Sequence, residues 1–345
     1  MFMKKTMERL SNFEILRIIS MLLIICHHFA LYSGFRYPSS TITMNSVFIQ
    51  FLSYGGQLGV NLFVLISGYF LVKNEFKVKK AVKLWMDISI YAIIIMLIFA
   101  IAGTDFNFFE VVKNIFPIPY NMWWFATSYF MMYLLSGYIN KLIYALSKRE
   151  LDHLILLLIV ICSILPTFMA ARMTSTLMWF FLLYIIAARI RLYALTNKVF
   201  DHSLMIGAIG YVFCLGSCVL FDIIGTKIAI FSDYATYFAR IDSITMLFCS
   251  IFLFIGFKNL NIKHSKMINT IAATTFGVYL LHENEYIRPF LWKTVFHSAE
   301  HANDSRLILY AIGAILATFA LCSFISYIYN KTIGRWINAL LTKAK

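Results

Sequence analysis

Charge is what this sequence has least of. Only 13% of its 345 residues are Asp, Glu, Lys or Arg, while 61% are hydrophobic and the mean hydropathy is +0.78. No soluble domain of this size buries so much apolar surface, which excludes a water-soluble enzyme or binding module. Proline is scarce as well, at five residues, and no fixed-period repeat or low-complexity stretch occurs. Both absences count against a secondary transporter or flippase, which usually shows Gly/Pro-broken helices or two repeated halves. The six cysteines (Cys26, Cys162, Cys214, Cys218, Cys249, Cys322) form no Cys-x-x-Cys pair and fall within or at the edge of apolar runs. They read as small buried hydrophobes, and with no histidine at ligand spacing no metal is expected.

What fills the chain instead is a succession of apolar runs, most of about 17–25 residues, each long enough to cross a bilayer as a helix. Ten are placed, at about 13–33, 51–72, 84–102, 120–140, 153–171, 176–190, 202–221, 241–257, 268–284 and 307–328. The expected fold is therefore an all-α integral membrane bundle, one transmembrane domain over residues 1–345. The first run is too long, and lacks a small-residue cleavage site, to be a removable signal peptide. The chain stops soon after the tenth run, so no fused extracellular domain is expected.

The charges that do occur set an orientation. Basic residues outnumber acidic ones by 30 to 16, a surplus that on its own suggests nucleic acid as a partner. Their distribution argues otherwise. With the N-terminus inside, 21 of the 30 fall in segments on the cytoplasmic side and eight on the outer side. That is the positive-inside pattern, and it predicts that both termini and the 73–83 loop are cytoplasmic. The longest connections, about 34–50, 103–119, 222–240 and 285–306, then lie outside.

One residue remains, Arg17, inside the first span with the His27-His28 pair. Arg17 and His28 are eleven residues apart. On a helix that is a rotation of roughly 1100°, about 20° past three turns, with a rise of about 16 Å. They share a face at opposite depths, and His27 is turned about 100° away. An arginine costs roughly 2.5–3.5 kcal/mol at a span's centre and less toward its ends. A cation and an imidazole on one stripe suggest a polar channel through the bundle. The plainer alternative is an arginine that snorkels to the headgroups and a histidine bonded to a neighbouring helix.

Three further stretches bear on that choice: "GVNLFVLISG" (Gly59–Gly68), "NMWWF" (Asn121–Phe125) and "TFGVYLLHENEYIRP" (Thr275–Pro289). With the Arg17-to-His28 spacing, the chain resembles the membrane-bound acyltransferase 3 family of ten-helix O-acyltransferases. That family's first helix carries a basic residue, ten residues, then histidine. Its second carries Gly-Val-x-Leu-Phe-Phe-Val-Leu-Ser-Gly, in register here with Val64 at the second Phe and Asn61 where aspartate is common. Trp124-Phe125 and Gly277-Val278-Tyr279-Leu280-Leu281-His282 resemble its later motifs.

The resemblance implies transfer of an acyl group, acetyl by default, from cytoplasmic acetyl-CoA to a hydroxyl of a cell-surface or capsular polysaccharide or its lipid-linked precursor. It places the protein in a cell membrane, that of a bacterium by default. Acyl-CoA enters as co-substrate, with no bound cofactor. Glycan, membrane lipids and a second copy of the chain are the partners allowed, and nucleic acid is not. A sugar hydroxyl is a weak nucleophile near neutral pH, so it needs a base, and histidine has a suitable pKa. His28 is the catalytic candidate and Arg17 the donor-binding one, since a guanidinium binds phosphates with directed paired bonds. His28 either deprotonates the attacking hydroxyl or carries the acyl group itself.

Supporting candidates each keep a plainer alternative. Glu14 is placed to pair with Arg17. Ser67 and Gly68 also serve close helix approach. Trp124 suits an aromatic belt. His282 and Glu283 lie near the depth of His28 and are suited to orient the base or touch the sugar, although a water-exposed helix end needs no role. The Arg240/Asp242 pair reads as structural. The loop lysines Lys77, Lys79 and Lys80, with Arg189 and Arg191, serve either orientation or an electrostatic funnel. A polysaccharide polymerase, the other rival class, would carry a large arginine-rich outer loop, which is not seen.

Overall fold

The computed structural model describes residues 10–37, 42–169, 174–228 and 230–343. Lys4, Lys5, Arg9, Arg172 and Lys345, all part of the charge asymmetry, lie outside them. Among the described residues the regular structure is helical throughout, with no strand. A helix suits hydrocarbon because each of its backbone N–H and C=O groups finds its partner within its own segment. In order the helices are α1 (Ser11–Tyr32), α2 (Met44–Leu71), α3 (Val78–Ile101), α4 (Phe108–Ile115), α5 (Trp124–Ala145), α6 (Lys148–Met169) and α7 (Thr176–Leu192). There follow α8 (Ser203–Gly225), α9 (Ile244–Asn259), α10 (Lys266–Ala272), α11 (Thr275–His282), α12 (Leu307–Lys331) and α13 (Ile333–Lys343).

Seven helical stretches among the described residues are long and apolar enough to cross a membrane, not ten. They are α1, α2, α3, α6, α8 and α9 each with the short turn before it, and α12 run together with α13. The three expected spans that fall short do so for separate reasons. The 120–140 run is α5, a 22-residue helix diluted by Thr127, Ser128, Ser136, Asn140 and Lys141. The 176–190 run is α7, only 17 residues long, with Trp179, Phe180 and Leu182 through Ala188 all buried. It is wrapped by protein, and its neighbours supply the apolar surroundings. The 268–284 run breaks at Ala273-Thr274 into α10 and α11, so His282 ends an eight-residue helix.

Close approach at small residues sets the core packing. Gly55 and Gly59 of α2 form a Gly-x-x-x-Gly pair facing α1. A Cβ at Gly59 would meet the Ser20 carbonyl oxygen at 2.5 Å, and one at Gly56 the His27 Cβ at 2.6 Å. Gly68 plays the same part toward α7, where a Cβ would lie 2.8 Å from the Tyr184 Cα. α2 is thereby held between α1 and α7.

Connections expected on the same side of the membrane meet at the same end of the bundle. At one end, Asn12 Nδ2 donates to the carbonyls of Phe257 and Lys258, and Asn140 Nδ2 to those of Leu71 and Asn74. At the other, Tyr37 Oη donates to the Ala302 carbonyl, Asn45 Nδ2 to those of Ala302 and Asp304, and Lys113 pairs with Glu285 at 2.5 Å.

Candidate active site

α1 carries His28 into the interior near the second of those ends, where it is 6% exposed. α11 delivers His282 as its last residue, and Glu283 and Asn284 follow as the helix stops; all three are buried. The break before Thr275 and the stop after His282 make α11 a short rod that aims one imidazole at α1. The Nδ1 of His28 lies 2.9 Å from the Nε2 of His282 and 3.1 Å from Oε2 of Glu283. Residues 254 positions apart thus form one cluster.

The protons in this cluster follow from its partners. His282 Nδ1 is 2.6 Å from the Val278 carbonyl oxygen, which can only accept, so that nitrogen carries the hydrogen. A neutral His282 then presents a bare Nε2. His28 must answer it with Nδ1–H, and the nitrogen left with a lone pair on His28 is Nε2. A backbone carbonyl in α11 thereby sets the tautomer of an imidazole on α1.

Glu283 is held from its other side. Its Oε1 accepts from Tyr32 Oη at 3.2 Å and from Arg288 Nη1 at 3.0 Å. The Arg288 guanidinium also lies over the Tyr32 ring, 4.2 Å from its centroid. Tyr32 is one turn beyond His28, with ring centroids 5.5 Å apart. It stands between the imidazole and a pocket of about 330 Å³ lined by Leu31, Tyr32, Gly34, Glu285, Arg288, Pro289 and Lys293. The wall of that pocket continues into a π-helical turn, Phe290–Val295, whose buried Trp292 meets Phe29 edge-on at 5.5 Å.

The sequence motifs converge behind the histidines. Phe125 packs edge-on against Tyr279 at 5.3 Å and against Phe63 at 6.2 Å, and Tyr279 lies 6.2 Å from the His282 ring. The indole facing inward is Trp123, 2% exposed, whereas Trp124 is 39% exposed and stands at the surface. The structure therefore takes Trp124 away from the cluster and leaves its neighbour Phe125 as the aromatic contact. Ser67 Oγ donates to the Phe63 carbonyl, and Gly68 abuts α7.

Arg17 stands apart from the histidines, toward the opposite end of α1. It is partly exposed, with its Nε 3.8 Å from Oε1 of the buried Glu14. His27 points elsewhere: its Nδ1 contacts the Ser53 carbonyl and its ring lies against Gly56. Arg240 and Asp242 pair with each other at 2.9 Å. Among the described residues no group of three His, Cys, Asp or Glu side chains is arranged to hold a metal ion.

Sequence reasoning missed Tyr32 and Arg288. The signal for Tyr32 was its place four residues after His28, on the same face. Arg288 entered only as an outer charge, although the polar run His282-Glu283-Asn284-Glu285 before it marked an unusual helix end.

Seven long apolar helices among the described residues, with a buried His–His–Glu cluster beside a pocket at one end, mark a multi-pass membrane protein. The chain matches the acyltransferase domain of the acyltransferase 3 family over residues 10–327, and it belongs to that family. No curated protein and no solved structure matches it.

Proposed function

We propose that the protein is a transmembrane O-acetyltransferase that moves acetyl from cytoplasmic acetyl-CoA to a hydroxyl of a cell-surface or capsular polysaccharide, or of its lipid-linked precursor. The observation that carries the reading is the His28–His282–Val278 line of contacts, from which the tautomer of His28 follows. That leaves the Nε2 lone pair for the substrate, while Nδ1–H is committed to His282 with the Glu283 carboxylate 3.1 Å away. In this reading Nε2 takes the proton of the acceptor hydroxyl as its oxygen attacks the thioester carbonyl. The new imidazolium is stabilised by the Glu283 carboxylate 3.1 Å from Nδ1. The C–S bond then breaks, and the same proton passes to the departing coenzyme A sulfur, leaving an acetyl ester, free thiol and neutral His28. A transient acyl on Nε2 would use the same lone pair.

In this reading the bundle crosses a bacterial cytoplasmic membrane ten times, with α5, α7 and the α10–α11 pair completing the seven long apolar stretches and both termini inside. The donor enters at the Arg17 end and the acceptor at the pocket beside Tyr32 and Arg288.

The test is acetyl analysis of the surface glycan by NMR in cells carrying single variants. His28→Ala is expected to abolish acetylation with normal expression, and His27→Ala to retain most of it. A base in this position is worth about 10²–10⁴ in rate, so residual acetyl should be near background. Full acetylation with His28→Ala removes the base assignment. Loss of the glycan itself, rather than of its acetyl groups, would point to a flippase or a polymerase.

A further inference from the structure

Several basic residues at the Arg17 end of the bundle already have acidic partners. Lys83 Nζ is 2.5 Å from Asp87, and Arg189 meets Asp152 through two bonds of 2.5 and 3.2 Å. Arg191 and Lys258 differ. Arg191, in the last turn of α7, lays its guanidinium 4.6 Å over the Tyr69 ring and donates from Nη1 to Tyr69 Oη at 2.8 Å. Lys258, in the last turn of α9, donates to the neutral Asn259 Oδ1 at 2.8 Å. The two half-buried cations lie within electrostatic range of each other. No carboxylate among the described residues forms an ion pair with either.

Their place in the fold bears on the donor. Tyr69, beneath Arg191, packs 4.9 Å from Phe13, one turn before Arg17 on α1. Phe254, one turn before Lys258, touches both rings at 5.6 Å. Asn12 Nδ2 bonds the Lys258 carbonyl at 3.1 Å. Both cations therefore flank the start of α1, whose N-cap residue Leu10 offers no side-chain bond and which presents the positive end of the helix dipole. Two like charges that influence each other at a half-buried site repel, and an anion between them relieves that repulsion. A planar guanidinium braced on an aromatic ring, next to an ammonium, matches the phosphates of a nucleotide.

We propose that Arg191 and Lys258 form the phosphate clamp of the acyl donor, holding the phosphorylated nucleotide end of coenzyme A so that its pantetheine arm runs past Arg17 toward His28. The proposal rests on the acetyl-CoA reading above and deepens it. It separates Arg191 from its neighbour Arg189, whose charge is already answered by Asp152.

The experiment titrates coenzyme A itself onto the purified full-length chain in nanodiscs, comparing the parent with Arg191→Gln, Lys258→Gln and the double variant. Each single variant should weaken binding about tenfold, the loss of one charge-assisted contact, and the double variant more. Pantetheine, which lacks the nucleotide, should bind parent and variants alike. Arg191→Lys should keep part of the affinity. Thermal unfolding midpoints check that the variants remain folded, and Lys258→Gln stands alone if Arg191→Gln does not. Equal coenzyme A affinity in parent and double variant, or no binding by the parent, overturns the clamp. If the parent binds through these residues yet transfers no acetyl, the clamp stands and the acetyltransferase reading fails. If the double variant acetylates with an unchanged KM, the clamp fails and that reading stands.

Discussion

The proton on Nδ1 of His282 decides what His28 can do, and the Val278 carbonyl decides that proton. Substitutions along this line should differ by hydrogen-bonding capacity rather than size. His282→Gln retains an oxygen that can accept from His28 Nδ1–H, so it should keep more activity than His282→Leu, which cannot. Equal activities in the two, measured as acetyl-CoA turnover by purified protein, would remove the tautomer argument. Glu283→Gln keeps the shape but loses the charge that faces a protonated His28 and turns one acceptor oxygen into a donor; kcat should fall about tenfold to a hundredfold with KM little changed. At the far end of α1, Arg17→Ala should weaken donor use while insertion stays normal, Arg17→Lys should recover part, and Arg17→Gln none. A purified Arg17→Ala protein that binds and consumes donor like the parent would make Arg17 a snorkelling residue.

Between helices, the small residues of α2 matter most, because they let α1 approach closely enough to hold His28 in register with α11. Gly59→Leu pushes a side chain into the Ser20 carbonyl and should lower stability by about 1–3 kcal/mol or more, read as an earlier thermal unfolding midpoint. Gly313 on α12 has nothing within 4 Å of a built Cβ. Gly313→Ala should therefore be neutral or stabilising by about 0.5–1 kcal/mol. Asn61 is the polar counterpart in the same helix. Its Nδ2 donates to the Ile241 carbonyl and Ser250 Oγ, and its Oδ1 accepts from Trp179 Nε1 at 2.9 Å. Asn61→Leu would leave a buried indole N–H and a carbonyl unpaired, at about 1–3 kcal/mol.

At the scale of the whole molecule, the positive-inside bias predicts which end faces the cytoplasm. Single-cysteine variants of a cysteine-free protein, Lys79→Cys and Val295→Cys, should label from outside only at position 295. Labelling at position 79 alone would invert the orientation and with it the assignment of donor and acceptor ends. Much of the long-helix pattern was legible in the sequence because a span facing lipid must be apolar along a set length. Of the ten runs placed from the sequence, seven meet it among the described residues, and α5, α7 and the α10–α11 pair do not over their length. The face shared by Arg17 and His28, and the turning away of His27, were legible too, since the helical period alone sets them. The partners of His28 were not: a contact across 254 residues follows from where α11 starts and stops and from glycines that draw α1 inward, not from any local pattern. The same holds for the cations. Composition marked Arg189 and Arg191 as equals, and only the fold placed a carboxylate beside one and a tyrosine ring beneath the other. The residue types and their local periods were thus determined by the sequence itself, whereas the pairing of charges across helices and the direction of the His28 proton were decided by which helices met.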